Sequence, residues 1–198
     1  MSFRVKGQTD TTETIDLFDE ISMTEDDSVS LIPDKFLFTQ KIFWGKKGLM
    51  RNFDRFELTP EKRQRELKLR RFMLTSHQIM GFATLGGMIA QGIVGARLYN
   101  GETRLRDTHG ALAAYVNITY FTTASLTLFA PPKALDERKG YSSIKLHKAL
   151  AIVHFTAMIA TNILAGAAES NSSARPYHRA AAYTAFGAFA TSMIVIKF

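Results

Sequence analysis

The sequence predicts an all-α integral membrane protein, a four-helix up-down bundle preceded by a cytoplasmic N-terminal extension. Three observations predict it. Four apolar stretches of membrane-spanning length fill residues 72–198, separated by short polar loops. The first is crowded with Gly81, Gly86, Gly87, Gly92 and Gly95, which weaken a helix in water but let helices approach closely in lipid. The bases gather at the ends of the apolar stretches, so the net charge of +7 reads as membrane-orienting charge and not as a nucleic-acid face.

Residues 1–58 form the extension. Its first 30 residues hold eight acids and two bases and few aromatics, a composition expected to be disordered. Phe36–Phe53 (FLFTQKIFWGKKGLMRNF) interleaves aromatics with bases, which suits either an interfacial segment or a docking strip for another subunit. Thr59-Pro60-Glu61 is a helix start signal. The basic helix it opens is expected to run straight into the first span, so residues 59–198 read as a juxtamembrane helix plus a transmembrane domain.

The spans follow in order. The first is about Phe72–Leu98 and the second about Thr108–Ala130, stopped by Pro131 and Pro132, which cannot continue the helix ladder. The third is about Ser143–Gly166. The fourth is about Pro176–Ile196, with Pro176 in the first turn, where a missing N–H leaves no bond unmade. Short loops make neighbouring helices antiparallel.

Orientation follows from Lys and Arg near the helix ends. Lys62, Arg63, Arg65, Lys68, Arg70, Arg71, Lys133, Arg138, Lys139, Lys145 and Lys148 lie on one side, eleven in all, against five on the other, Arg97, Arg104, Arg106, Arg175 and Arg179. Both termini are therefore expected on the cytoplasmic or equivalent side. No secretory signal is visible, since the first long apolar run starts at Phe72 and the N-terminus is acidic. The absence of cysteine excludes disulfides, iron–sulfur clusters and thiolate metal sites.

All five histidines, His77, His109, His147, His154 and His178, lie in or beside the apolar stretches. Each span carries one near its N-terminal end. His77 and His147 then share the cytoplasmic half, and His109 and His178 share the other half, with sequence gaps of 70 and 69 residues. Two pairs at two depths on alternating helices is the arrangement that two bis-histidine b-type haems need. A small residue follows each of these histidines one turn on: Gly81, Ala113, Ala151 and Ala182. That position lies on the same helix face, where a flat ring needs space. The plain alternatives are interhelical hydrogen bonding and the abundance of alanine in membrane helices. Zinc fits poorly, because a closed site needs about four ligands at one depth. His154 lies about 10 Å deeper than His147 with no histidine partner at its level. It reads as a polar bridge, an alternative ligand or, preferred among the three, a satisfied polar contact.

These four histidines, with their spacing and sides, resemble the cytochrome b561 family of transmembrane dihaem electron carriers over about residues 72–198. The resemblance implies electron transfer through two haem b groups, and a b561-like oxidoreductase activity whose donor and acceptor, small molecule or protein, stay open. Eukaryotic members usually have six helices and often bind ascorbate through cytoplasmic basic residues. This chain has four spans and no clear match to those local motifs.

Electron transfer needs irons within reach, and helices of this length place them on the order of 20 Å apart. Arg97 and Arg179 on the far side, and Arg71 or Lys148 on the near side, are candidates for holding propionates. The alternative function is a haem-bearing or haem-free membrane anchor subunit of a larger complex, and a homodimer is also left open. A transporter is the weakest reading, because no acidic residue lies within any span. The lipid bilayer is the expected partner; nucleic acid is not.

Overall fold

The structure is a computed structural model that describes residues 31–33, 35, 37–134 and 142–197. The chain divides into two units, Met1–Leu31 and Ile32–Phe198. The expected disorder of residues 1–30, and Arg138 and Lys139 of the orienting charges, fall outside the described residues. Everything that follows concerns the second unit.

All regular structure among the described residues is helical: α1 (Phe38–Trp44), α2 (Pro60–Tyr99), α3 (Arg106–Leu128), α4 (Ser143–Ser170) and α5 (Arg175–Lys197), with short 3-10 turns between them. The start signal acts as read. Thr59 caps α2 by accepting from the Lys62 N–H at 3.3 Å, Pro60 occupies the first helical position, and the helix continues unbroken for 40 residues. Ser142 caps α4 in the same way through the Lys145 N–H. Between α2 and α3 the chain reverses at Gly101, whose φ of 105° lies in the region that glycine alone enters freely.

Among the described residues, three stretches are long and apolar enough to cross a membrane: Pro60–Tyr99, Ser143–Ser170 and Ser172–Ile196. The expected second span is a helix of 23 residues, α3, yet it is not among them. Thr108, Asn117, Thr119, Thr122, Thr123, Ser125 and Thr127 lower its hydropathy.

The helices pair as two hairpins, α2 with α3 and α4 with α5. All four meet in one apolar layer made of Met88, Val116, Tyr120, Ala157, Met158, Ala185 and Phe189. The glycines of α2 contribute unequally. A Cβ at Gly87 would come within 2.6 Å of the Tyr115 ring and 3.1 Å of Val116, so α3 packs directly on that backbone. Gly86 and Gly92 face open space, and the close-approach reading does not extend to them.

Residues 38–56 are held to the hairpin of α2 and α3 by a dense polar clasp. Thr39, Gln40 and Trp44 donate to the carbonyls of Leu128, Ala130 and Phe129 at 2.6, 3.1 and 2.9 Å, satisfying the orphan end of α3. Arg70 and Arg63 donate to the carbonyls of Pro131 and Pro132 at 2.6 and 2.7 Å. Glu66, fully buried, pairs with both Arg51 and Arg63. Arg51 in turn donates to the carbonyls of Trp44 and Phe56. Phe38, Leu49 and Phe53 face outward from this clasp.

Removing one member of a buried ion pair strands the other charges, at roughly 3–5 kcal/mol. Glu66→Gln is therefore expected to loosen the clasp by about 3 kcal/mol. Limited proteolysis in detergent should show new cleavage within residues 45–58 while the four long helices stay protected. An unchanged pattern would mean that the bonds from α1 hold the segment alone.

Candidate histidine-pair site

Each hairpin places one histidine at each of two levels. His77 of α2 faces His147 of α4 with ring centres 6.3 Å apart and ring planes at 85°. His109 of α3 faces His178 of α5 at 6.4 Å and 79°. Both pairs are thus cross-hairpin, with one ring from each half of the chain.

The second nitrogen of three of the four rings explains how those rings are turned toward the partner hairpin. His77 Nδ1 lies 2.9 Å from the Thr123 carbonyl, His147 Nδ1 2.9 Å from the Ser192 carbonyl, and His178 Nδ1 3.0 Å from the Thr161 carbonyl. A carbonyl only accepts, so Nδ1 carries the proton and Nε2 keeps its lone pair. These bonds stay within each hairpin, while the Nε2 edges are left for the partner hairpin. Orientation of a metal-binding imidazole by a hydrogen bond from its other nitrogen is the usual support for such a ligand.

The separation would let the two rings of a pair share one metal. A metal–imidazole bond is about 2.0 Å long and the nitrogen lies about 1.1 Å from its ring centre, so two rings on one metal have centres about 6.2 Å apart. Both pairs have that spacing. Neither pair is a closed metal site by itself, and no group of three or more His, Asp or Glu side chains that could hold a metal ion occurs among the described residues. Each pair would supply two imidazole nitrogens to a metal whose other ligands come from elsewhere.

The predicted neighbours can be placed. Gly81 is buried, and a Cβ there would meet only ordinary contacts, Met193 at 3.9 Å and Thr123 at 4.0 Å. Ala113, Ala151 and Ala182 are half-buried. Arg97 is held by Glu102 through two hydrogen bonds of 2.8 and 2.9 Å, and the bond from Arg97 keeps the Glu102 carboxyl below its usual range. The Arg179 guanidinium lies over the rings of Tyr99 and Tyr183 at 4.7 and 5.3 Å. Arg71 and Lys148 are exposed. A shallow crease lined by Asn117, Ile118, Phe121, Thr122 and Ser125 holds none of the histidines.

No family model, curated protein or solved structure matches the chain. Its chemistry has to be read from its own geometry.

That geometry contains a repeat that the histidine spacing alone did not disclose. At the offset of 70, Met88-Ile89-Ala90 recurs as Met158-Ile159-Ala160. At the offset of 69, Val116 matches Ala185, Tyr120 matches Phe189 and Thr123 matches Ser192. Each of the last pair supplies the carbonyl that holds a histidine. The two hairpins thus share a common spacing of histidines, core residues and carbonyl supports, a sequence signal of an internal repeat.

His154 departs from the repeat, since its counterpart is Thr84. Its Nδ1 lies 2.6 Å from the hydroxyl of Tyr120, a side chain only 1% exposed, among the rings of Phe155 and Phe189. Of the three roles weighed for it, the structure gives it the hydrogen bond.

Leaving a buried hydroxyl or imidazole nitrogen unpartnered costs about 1–3 kcal/mol. Tyr120→Phe and His154→Phe should each destabilise the bundle by that amount. The double variant should lose less than the sum by at least about 0.5 kcal/mol, as coupled neighbours do. Reversible unfolding in mixed micelles gives the cycle; strict additivity would mean the pair is not coupled.

Proposed function

We propose that the chain is a four-span membrane protein that carries electrons across the bilayer through two b-type haems. His77 and His147 would hold one, His109 and His178 the other. The observation that carries this reading is the pair of facing rings at 6.3 and 6.4 Å, with three of the four tied through Nδ1 so that Nε2 is presented. When bound, a haem iron held by two imidazoles supplies a one-electron couple whose potential the surroundings set. The chain's own residues orient the ligands, keep the proton on Nδ1 and exclude water.

Two levels need a separation that electrons can cross. On α4, His147 and the Thr161 that holds His178 are fourteen residues apart, about 21 Å of helix. On α3, His109 and the Thr123 that holds His77 are also fourteen apart. This agrees with irons on the order of 20 Å apart. Between the levels lies the apolar layer, with the rings of Tyr120, Phe155 and Phe189.

The fourth span in this reading is α3, despite its polar composition. Polar groups are tolerated in lipid when they are satisfied internally. The hydroxyls of Thr119, Thr123 and Thr127 bond to carbonyls of their own helix. Asn117 and Asn162 exchange two amide hydrogen bonds of 2.9 and 3.0 Å between α3 and α4. The basic residues near the start of α2 and α4 put both termini on the cytoplasmic or equivalent side. The outward Phe38, Leu49 and Phe53 suit the headgroup layer. The same strip would serve as a docking surface if the chain is instead a membrane anchor subunit of a larger complex.

A pyridine haemochrome assay on purified protein should give two haems per chain. His109→Ala or His178→Ala should remove one haem, His77→Ala or His147→Ala the other, and His154→Ala neither. Two haems retained after any one of the four ligand substitutions would refute the pairing.

Bulk one turn beyond a ligand gives a second check. Ala151→Leu should lower occupancy of the His77/His147 haem alone, and Ala182→Leu that of the other, since overpacking costs about 1–3 kcal/mol. Redox titration resolves the two; unchanged occupancy and potentials in both variants would mean these positions do not border a porphyrin.

A further inference from the structure

Three of the four paired histidines share one support, and the fourth lacks it. In the three, a backbone carbonyl fourteen residues beyond another histidine accepts from Nδ1: Thr123 beyond His109, Thr161 beyond His147, and Ser192 beyond His178. The hydroxyl of each of these residues turns back to a carbonyl of its own helix at 2.7 Å, so it is the main chain that faces the ring. The remaining place in this register, fourteen residues beyond His77, belongs to Gln91, opposite His109.

Gln91 meets His109 with its side chain instead of its backbone. Its Nε2 lies 3.3 Å from His109 Nε2, the nitrogen that the other three leave for the partner ring. Two buried side-chain atoms at this spot have no hydrogen-bond partner, Gln91 Oε1 and His109 Nδ1. One is an acceptor. The other is a donor in the tautomer that leaves Nε2 bare. Buried polar atoms without partners are uncommon and call for an explanation.

We propose that Gln91 is the positioning residue for His109, its side-chain carbonyl doing for this ligand what a main-chain carbonyl does for the other three. A turn of the imidazole and the amide joins the two orphaned atoms and releases Nε2 toward the metal. Space for the turn exists because residue 95 is glycine. A Cβ there would come within 3.0 Å of His109 Cε1 and 3.3 Å of Nδ1. The inference rests on the two-haem reading and adds an asymmetry to it. The hydrogen bond behind His109 hangs on a rotatable side chain, so one substitution adjusts this ligand without moving a helix. The His109/His178 haem is then the one whose potential the chain tunes separately.

The test uses the full chain in detergent, loaded with haem b, and reads haem retention, the two midpoint potentials and the low-spin electron paramagnetic resonance signals. Loss of such a support typically weakens metal binding by 10–100-fold. Gln91→Leu should weaken retention of the His109/His178 haem by about that factor and leave the other signal in place. Gln91→Glu keeps an acceptor of the same length. It should restore retention and move that haem's midpoint alone to lower potential, because a carboxylate behind the ligand favours the oxidised iron. Gly95→Ala should lower retention at the same haem. In a His178→Ala background, where only the His77/His147 haem remains, Gln91→Leu should change nothing. Equal loss at both haems, a Leu variant indistinguishable from the parent, or a Glu variant that neither restores retention nor shifts the midpoint would overturn the role of Gln91. Fewer than two haems in the parent chain would overturn the two-haem reading itself, before any Gln91 variant is compared.

Discussion

An imidazole inside an apolar bundle has two nitrogens to satisfy, and the hydrogen bond from Nδ1 to a neighbouring carbonyl settles one of them. That bond also constrains the whole hairpin. A helix carbonyl already accepts from the next turn, but it has a second lone pair. Reaching it requires the histidine to stand level with one chosen residue of the neighbouring helix. His109 and Thr123 are both on α3, and His147 and Thr161 both on α4, at the same fourteen-residue interval. A slip of one residue, about 1.5 Å, would misplace a donor against its acceptor. The antiparallel register of each hairpin is therefore tied to the levels of its histidines.

Because these bonds close within a hairpin, His77, His147 and His178 can be oriented before the two hairpins meet. The two halves then meet across the paired histidine rings and through the apolar layer between the histidine levels. The departures from the repeat fall in and around that layer. Thr84 bonds to the Met80 carbonyl and approaches the Thr123 hydroxyl at 3.4 Å. Its counterpart His154 has no such neighbour and instead takes Tyr120, whose own counterpart is Phe189. A hydroxyl appears on α3 where its repeat has none, opposite the one added imidazole. The paired change keeps both polar groups satisfied in a buried layer, where an unmet one would be costly.

Much of this was legible in the sequence because it depends on local chemistry or on simple spacing. The Thr59-Pro60 start, the break before Pro131 and the opening of α5 at Arg175-Pro176 are properties of a few adjacent residues. The cross-hairpin partners of His77 and His109 followed from counting along alternating helices. What escaped was long-range and carried by the main chain. Nothing in the residue types of Thr123, Thr161 or Ser192 announces that their carbonyls hold a histidine. The clasp was hidden for a related reason: Arg63 and Arg70 read as orienting charges and Arg51 as one base of the interfacial or docking segment Phe36–Phe53. Two of them instead reach the carbonyls of Pro131 and Pro132, and two pair with Glu66. A base count treats every arginine alike, whereas its role depends on whether an acceptor comes within reach.

The same distinction bears on α3. Hydropathy counts side-chain types and ignores their partners, so a helix rich in threonine scores as polar even when its hydroxyls are spent on its own backbone. Thr119, Thr123 and Thr127 are of this kind. In Thr123, turning the hydroxyl back toward Thr119 leaves the carbonyl to face His77. Thr161 and Ser192 make the same arrangement on α4 and α5. The residues that depress the apolar character of α3 are thus, in part, the ones that build its histidine support. A purely aliphatic α3 would cross a bilayer more readily by composition, yet it would lose the Asn117–Asn162 link between the hairpins. The polarity of this helix thus serves, through Asn117, to join one hairpin to the other, while its threonine hydroxyls are satisfied within the helix.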